Sequence, residues 1–216
     1  MQINLHSALQ IVLYQADFLL FFIKFADTTV FSMENKIQLQ DKTFKKYIPN
    51  QDIEKAIDEV AARMNSDFAG VTDDNPPIML CTLNGAVIFA AELLKRIHFP
   101  VIFTAMKISS YEGTKSTGNV KAEVPHGIKD LKGKKVIVVE DIVDTGNTIL
   151  AIDNLLKGMG VEKMYVASLL LKPDVYKGNV PLDYVAMKIP NRFIVGFGLD
   201  YNELGRNIKD IYVLDC

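Results

Sequence analysis

The chain has 216 residues, of which 49% are hydrophobic, 23% charged and 9% aromatic. This mixture is typical of a globular domain with a sizeable core, and it excludes a collagen-like repeat, a disordered low-complexity chain and a polytopic membrane protein. The formal net charge of -2 provides no overall positive field that would hold nucleic acid nonspecifically.

The first 32 residues are hydrophobic and nearly uncharged, most densely at 18–25 (FLLFFIKF). A secretory signal places its basic residues before the hydrophobic run, whereas the first lysine or arginine here is Lys24, inside the run. Five polar residues also interrupt it as a membrane-spanning segment: Gln10, Gln15, Asp17, Lys24 and Asp27. Since Met33 begins a stretch typical of a soluble protein, we expect 1–32 to lie outside the fold and 33–216 to form one domain.

The two cysteines indicate a reducing compartment. Cys81 lies in a hydrophobic run and Cys216 is the last residue, so they have neither the spacing of metal ligands nor the density of a disulfide scaffold. We therefore expect a cytoplasmic protein without a membrane partner.

The first regular elements follow residue 49. Asn50 is a candidate cap for a helix with one hydrophobic stripe at helical spacing, formed by Ile53, Ile57, Val60, Ala61 and Met64. The run 76–83 (PPIMLCTL) predicts a strand, Asn84-Gly85 a tight turn, and 86–97 a second helix.

Strands and helices then continue to alternate. We predict strands at 101–108, 134–142 and 163–171, with a helix between the last two that buries Ile149, Ile152, Leu156 and Met159. Strand runs that are hydrophobic on both faces are typical of a buried parallel sheet. The expected fold class is therefore α/β, an open, mostly parallel sheet flanked by helices.

Two segments interrupt this alternation. Residues 109–120 (SSYEGTKSTGNV) are polar and predict a long surface loop. Residues 183–216 hold short strand-like pieces around a polar turn (DYNELGRN), and we expect them to form a small lobe that caps the sheet.

The window 136–149 (VIVVEDIVDTGNTI) contains the strongest chemical pattern. A β-branched strand ends at Glu140 and Asp141, where open α/β sheets bind ligands. The following turn, Asp144 to Thr148, begins a helix and offers free N–H groups and hydroxyls, which suits a phosphate. In isolation, Asp144 or Thr145 would serve equally well as an ordinary helix cap.

This window resembles the phosphoribosyl pyrophosphate signature of the purine phosphoribosyltransferases, specifically of the hypoxanthine-guanine type, and the resemblance extends from Lys36 to the C-terminus. It implies the type I fold of that family, with the small lobe as a hood over the base. It also implies that Glu140 and Asp141 hold the ribose hydroxyls and help to position Mg²⁺. The 5′-phosphate would be wrapped by Asp144, Thr145, Gly146, Asn147 and Thr148.

Further segments match the family in order. LNGA (83–86) resembles its pyrophosphate loop, which implies that Asn84 and Gly85 bind pyrophosphate through their N–H groups, although some members have lysine at the position of Asn84. SSYEGT (109–114) resembles the loop that closes over the site and contains Ser110 and Tyr111. LLLKPD (169–174) implies that Lys172 recognises the 6-oxo group of the base.

The segment 192–206 (RFIVGFGLDYNELGR) resembles the base pocket. The resemblance implies that Phe193 stacks on the purine, that the Ile194 backbone contacts its edge and that Arg206 reaches pyrophosphate. Asp200 would lie near the metal, which gives the predicted metal set Glu140, Asp141 and Asp200. Asp144 would act as the general base.

The implied reaction transfers the 5-phosphoribosyl group to hypoxanthine or guanine and gives IMP or GMP and pyrophosphate. The expected partners are the activated sugar and a 6-oxopurine, with no nucleic acid, in a homodimer or homotetramer. Two alternatives remain open: a phosphoribosyltransferase for another purine such as xanthine, and a related regulator that binds nucleotide and RNA. A regulator would need a basic stripe, and the lysine clusters at 42–46 and 132–135 are short.

Overall fold

A computed structural model describes residues 35–110, 120–122 and 131–215, with the side chains of 108–110 and 120–122 left out. The predicted N-terminal extension, Tyr111 and most of the predicted polar loop lie outside the described residues. In the described part of the chain, no helix has the length and hydrophobicity needed to cross a bilayer.

The main sheet has six strands: β3 (Ile78–Leu83), β4 (Ile102–Ser110), β5 (Val120–Ala122), β6 (Lys135–Val143), β7 (Lys163–Leu171) and β8 (Tyr184–Lys188). Their order across the sheet is β5-β4-β3-β6-β7-β8. All neighbouring strands are parallel except β5, which pairs antiparallel with β4. The predicted α/β class with an open, mostly parallel sheet is therefore confirmed.

Three helices cover the two faces of this sheet: α1 (Asn50–Asp67), α2 (Val87–Leu94) and α3 (Asn147–Gly158). Side chains alternate between the faces of a strand, so β3 places Met79 and Cys81 in the core formed with α1 and α2. Ile78 and Leu80 lie in the core formed with α3. All five predicted stripe residues of α1 are buried.

The predicted cap of α1 is wrong. Pro49 occupies the cap position, and the Asn50 side chain donates to Glu54 instead. The backbone N–H of Asn50 is bound by Asp210 Oδ1 at 2.7 Å, 160 residues further along the chain. A carboxylate from the C-terminal part therefore stabilises this helix start.

The small lobe is a second, four-stranded sheet. It combines the hairpin β1 (Lys36–Leu39) and β2 (Lys42–Ile48) with β9 (Ile194–Val195) and β10 (Ile211–Leu214). The strand order is β1-β2-β10-β9. The prediction assigned the whole of 183–216 to this lobe, whereas β8 continues the main sheet beside β7. Short strands of either sheet have the same periodicity, so the pattern alone did not separate them.

Three residues of the predicted loop at 109–120 belong to strands. β4 continues to Ser110 and β5 begins at Val120, and these two residues are paired across the ladder.

Candidate functional site

The predicted site residues of the main sheet lie where β3, β6 and β7 end. These strands are parallel neighbours, so their carboxyl ends share one edge of the sheet. Asn84 and Gly85 follow β3, Glu140 and Asp141 lie near the end of β6, and Lys172 follows β7. This is the edge at which open α/β sheets bind ligands.

Glu140 is buried with one carboxyl oxygen unpartnered. The residue is 5% exposed, and its Oε2 lies 2.7 Å from Thr82 Oγ1 on β3. Its Oε1 contacts no hydrogen-bond donor in the described structure. Burial, and then the charge of Asp141, raise the pKa of Glu140 to about 8. An acid of this kind is neutral near pH 7 until a ligand or cation compensates its charge.

The Thr82 hydroxyl lies between two oxygens. Its Oγ1 is 2.9 Å from Val139 O and 2.7 Å from Glu140 Oε2. A threonine hydroxyl carries one proton, so it donates to only one of these two oxygens at a time. The contact with Thr82 lowers the pKa of Glu140, but burial and the charge of Asp141 outweigh it.

Asp141 lies on the opposite face of β6, beneath the turn after β3. A Cβ added to Gly85 would lie 1.6 Å from Asp141 Oδ2. Burial raises the pKa of Asp141, although a hydrogen bond from the Ile142 N–H at 2.9 Å and the charge of Arg206 act in the opposite direction. The two adjacent acids thus leave the strand on different faces, Glu140 towards α3 and Asp141 towards Gly85.

A glycine from the C-terminal part completes this contact. Gly198 has φ +98°, and a Cβ there would lie 2.1 Å from the carbonyl oxygen of Gly85. Gly198, Gly85 and Asp141 therefore form one close-packed stack, which fixes the segment after β9 against the main sheet.

The turn before α3 places Gly146 at the cap position with φ +88°. Tyr176 packs against it, so that an added Cβ would lie 2.5 Å from the Tyr176 ring. The cap residue has no side chain, and the Thr145 hydroxyl accepts a hydrogen bond from the Asn147 N–H at 3.5 Å. Asp144 is therefore not the cap, Thr145 caps the helix only through this long contact, and the start of α3 suits an anion.

Asp144 instead forms an ion pair with Lys172. Its Oδ2 is 2.7 Å from Lys172 Nζ. The Asp144 side chain is 43% exposed and that of Lys172 is 11% exposed. The structure thus brings the predicted general base and the predicted purine-binding lysine into direct contact.

Asp200 and Arg206 also form a pair, at 2.7 Å. Arg206 donates to Gly198 O at 2.9 Å, and the second oxygen of Asp200 accepts from the Glu203 N–H at 2.8 Å. The charge of Arg206 lowers the pKa of Asp141 and the charge of Asp200 raises it.

The two remaining predicted base-pocket residues lie in the small lobe. Phe193 is half exposed and packs edge-on against Tyr201, with ring centroids 5.9 Å apart. Ile194 is buried in β9, where it pairs with Val213. Of Phe193 and Ile194, the exposed ring of Phe193 is the one that a planar base would contact.

Either of the two acids would suit a magnesium ion, although they leave β6 on different faces. Mg²⁺ takes oxygen ligands and is typically bound by one or two carboxylates, with water and substrate phosphates supplying the rest. The unpartnered Oε1 of Glu140 and the raised pKa values of Glu140 and Asp141 are the features that a cation would relieve. Within the described residues, no three acidic, histidine or cysteine side chains form a complete metal site.

Three residues of this region were not predicted: Thr82, Tyr176 and Gly198. Thr82 is the polar residue of the run IMLCTL, and this was the signal available in the sequence. Tyr176 and Gly198 act through contacts that sequence spacing does not show.

Comparison with known proteins identifies the family to which the chain belongs. Residues 44–202 match the model of the phosphoribosyl transferase domain. The chain belongs to the phosphoribosyltransferase family. A relative from Streptococcus thermophilus, named hypoxanthine-guanine phosphoribosyltransferase, is 38% identical over 180 residues, covering 81% of this chain and 95% of the relative. One of the same name from Staphylococcus epidermidis is 38% identical over 172 residues, covering 77% of this chain and 91% of the relative.

Solved structures agree with these relatives. The crystal structure of a hypoxanthine phosphoribosyltransferase from Staphylococcus aureus superposes with a TM-score of 0.71 at 34% identity, covering 79% of this chain and 91% of that one. The predicted resemblance to the purine phosphoribosyltransferases is therefore confirmed.

Proposed function

We propose that the protein is a purine salvage enzyme that transfers the 5-phosphoribosyl group from phosphoribosyl pyrophosphate to hypoxanthine or guanine, giving IMP or GMP and pyrophosphate. The observation that carries the proposal is the position of the Asp144–Lys172 ion pair on the same sheet edge as Glu140 and Asp141. The Asp144–Lys172 pair suits a 6-oxopurine, and Glu140 and Asp141 suit a sugar. Membership of the phosphoribosyltransferase family supports a reaction between these two ligands.

The donor sugar is held by the main sheet in this proposal. Glu140, on the α3 face, accepts hydrogen bonds from ribose hydroxyls. The turn Asp144 to Thr148 binds the 5′-phosphate, since the start of a helix offers N–H groups and a positive dipole end. Asp141 is proposed to bind the ribose as well, from the other face of β6.

The leaving pyrophosphate is bound after β3. Asn84 and Gly85 present backbone N–H groups, and Arg206 supplies a guanidinium that pairs well with phosphate oxygens. Cleavage of the anomeric bond leaves positive charge on the ribose and negative charge on pyrophosphate, so stabilising both ends lowers the barrier. Bound Mg²⁺ would neutralise charge on the pyrophosphate, with Glu140, Asp141 and Asp200 as the carboxylates proposed to hold or orient it.

The purine is bound between the sheet edge and the small lobe. Phe193 stacks on the base, the Ile194 backbone contacts its edge and Asp200 faces its exocyclic position. Lys172 donates to the 6-oxo group, an acceptor that adenine lacks. Asp144 accepts the proton that the purine ring loses as its N9 bonds to the ribose.

Exclusion of water and the assembly of the protein complete the proposal. Ser110 and Tyr111 belong to the segment proposed to close over the site, because water would otherwise hydrolyse the activated ribose. A homodimer or homotetramer and a cytoplasmic location are proposed as well.

The raised pKa of the buried Cys81 thiol, about 12, supports a structural rather than a reactive cysteine.

The regulatory alternative finds little support in the lysine clusters. Lys45 and Lys46 pair with Asp215 and Asp210 at 3.5 and 2.7 Å, and Lys135 lies 4.0 Å from Glu162. Interleaved acids of this kind weaken attraction to a phosphate backbone.

A purine panel tests the proposal. With phosphoribosyl pyrophosphate and Mg²⁺ present, nucleotide formation is measured from hypoxanthine, guanine, xanthine and adenine. We expect product from the first two and none from adenine. Preferential use of xanthine would assign the enzyme to that purine, and absence of product from every base would refute the proposed activity.

A further inference from the structure

We propose that Thr82 is a positioning residue for the donor sugar, because its hydroxyl fixes the Glu140 carboxyl and leaves the Oε1 of that group for the ligand. The proposal rests on the proposed function of Glu140. Thr82 is 4% exposed and contacts Glu140 Oε2 at 2.7 Å.

The position of Thr82 in the sheet explains why a hydroxyl is needed there. The ladder between β3 and β6 ends at the pair Cys81–Val139, whereas β3 remains paired with β4 as far as Leu83. The Val139 carbonyl therefore lies where β3 and β6 separate, and Thr82 Oγ1 contacts it at 2.9 Å. One hydroxyl thus satisfies the end of the ladder and anchors the acid that follows it.

This anchor selects the free oxygen of Glu140. With Oε2 fixed against Thr82, the carboxyl plane is held, and Oε1 is the buried oxygen without a partner in the described structure. A buried acceptor without a donor is costly, so it provides an acceptor for a ribose hydroxyl or a ligand for a cation. A carboxyl without the anchor would rotate and present its oxygens less often in this arrangement.

Ser168 provides a matched control. It is fully buried on β7, the neighbour of β6 on the side opposite β3, and is paired in register with Glu140. Its hydroxyl contacts Leu170 O of its own strand at 2.6 Å. Ser168→Ala therefore removes a buried hydroxyl from the same region without removing the contact to the carboxyl.

The experiment measures binding of phosphoribosyl pyrophosphate with Mg²⁺ by calorimetry without purine, using the full-length protein. Thr82→Val removes the hydroxyl and nearly keeps the shape, and we expect the donor Kd to rise about tenfold, as for loss of one buried hydrogen bond. Thr82→Ser retains the hydroxyl and should stay within about threefold of wild type, as should Ser168→Ala. The KM for hypoxanthine should change by less than about twofold in all three variants.

Several outcomes would overturn the proposal. Donor binding by Thr82→Val equal to wild type would show that the anchor is not used, and an equal loss in Thr82→Ser or Ser168→Ala would indicate a general packing effect. Thr82→Ala, which removes the same hydroxyl without a branched replacement, gives the same decision if the valine variant does not fold. If wild type itself binds no donor, the proposed function fails rather than the role of Thr82.

Discussion

Replacing Glu140 with glutamine should remove a pH dependence of stability in the metal-free, ligand-free protein. The pKa of Glu140 is about 8 in the fold, against 4.5 for an unperturbed glutamate. Between these two values the folded state holds a proton that the unfolded state releases, so the free energy of unfolding falls as pH rises. The stabilisation is complete below pH 4.5 and is lost as pH rises through 8.

The size of the effect follows from the same two pKa values. Each pH unit well inside the interval changes the free energy of unfolding by about 1.4 kcal/mol. Because the difference in bound protons is incomplete near pH 5 and near pH 8, the decrease over this range is smaller than three full steps, about 3 kcal/mol. Glutamine stays neutral, and its amide donates to Thr82 Oγ1 while that hydroxyl donates to Val139 O. The variant should therefore gain about 3 kcal/mol relative to wild type over this range.

Urea unfolding at pH 5, 6, 7 and 8 in the presence of a chelator measures this difference. Subtracting the wild-type values removes the contribution of groups common to both proteins. Glu162→Gln, a change at an exposed glutamate, controls for the substitution itself. A difference between Glu140→Gln and wild type that is independent of pH would refute the assignment of a neutral Glu140 to the empty site.

The remaining predictions concern the reaction. Asp144→Asn should lower kcat by about 10²- to 10⁴-fold and leave donor binding by calorimetry nearly intact, and an unchanged kcat would remove Asp144 from the role of base. Lys172→Ala should reduce kcat/KM for hypoxanthine far more than donor affinity, since it removes the donor to the 6-oxo group; equal losses would contradict this. Gly85→Ala places a Cβ 1.6 Å from Asp141 Oδ2, so it should weaken calorimetric donor binding, and unchanged binding would show that Asp141 moves freely.

Much of the fold was predictable because hydrophobic periodicity is local. The stripe of α1 and the runs of β3, β6 and β7 predict buried elements of the correct type and order. The assignment of β8 to the main sheet and the cap of α1 were not predictable, because they depend on which distant segments meet. Asp210 bound to the Asn50 N–H is a clear example, since 160 residues separate them.

In the candidate site too, local features were predictable and contacts between distant segments were not. The signature 140–148 lies on one strand and the helix that follows, so its order along the chain already placed it at one edge of the sheet. The Asp144–Lys172 ion pair required the parallel pairing of β6 and β7. Adjacent acids on one strand leave on opposite faces, and alternation along β6 predicts this for Glu140 and Asp141.

The site keeps its acids although neutral residues would make the empty protein more stable. Burial raises the pKa values of both Glu140 and Asp141, and the charge of Asp141 raises that of Glu140 further, so their ionised forms oppose folding until a cation or a sugar hydroxyl compensates them. A loss of about 3 kcal/mol is a large part of the 5 to 15 kcal/mol that typically stabilises a domain, yet it does not unfold one. Such a cost is expected where activity needs unsatisfied groups. Stability of the fold does not account for the unpartnered oxygen of Glu140, whereas the proposed ligand binding does.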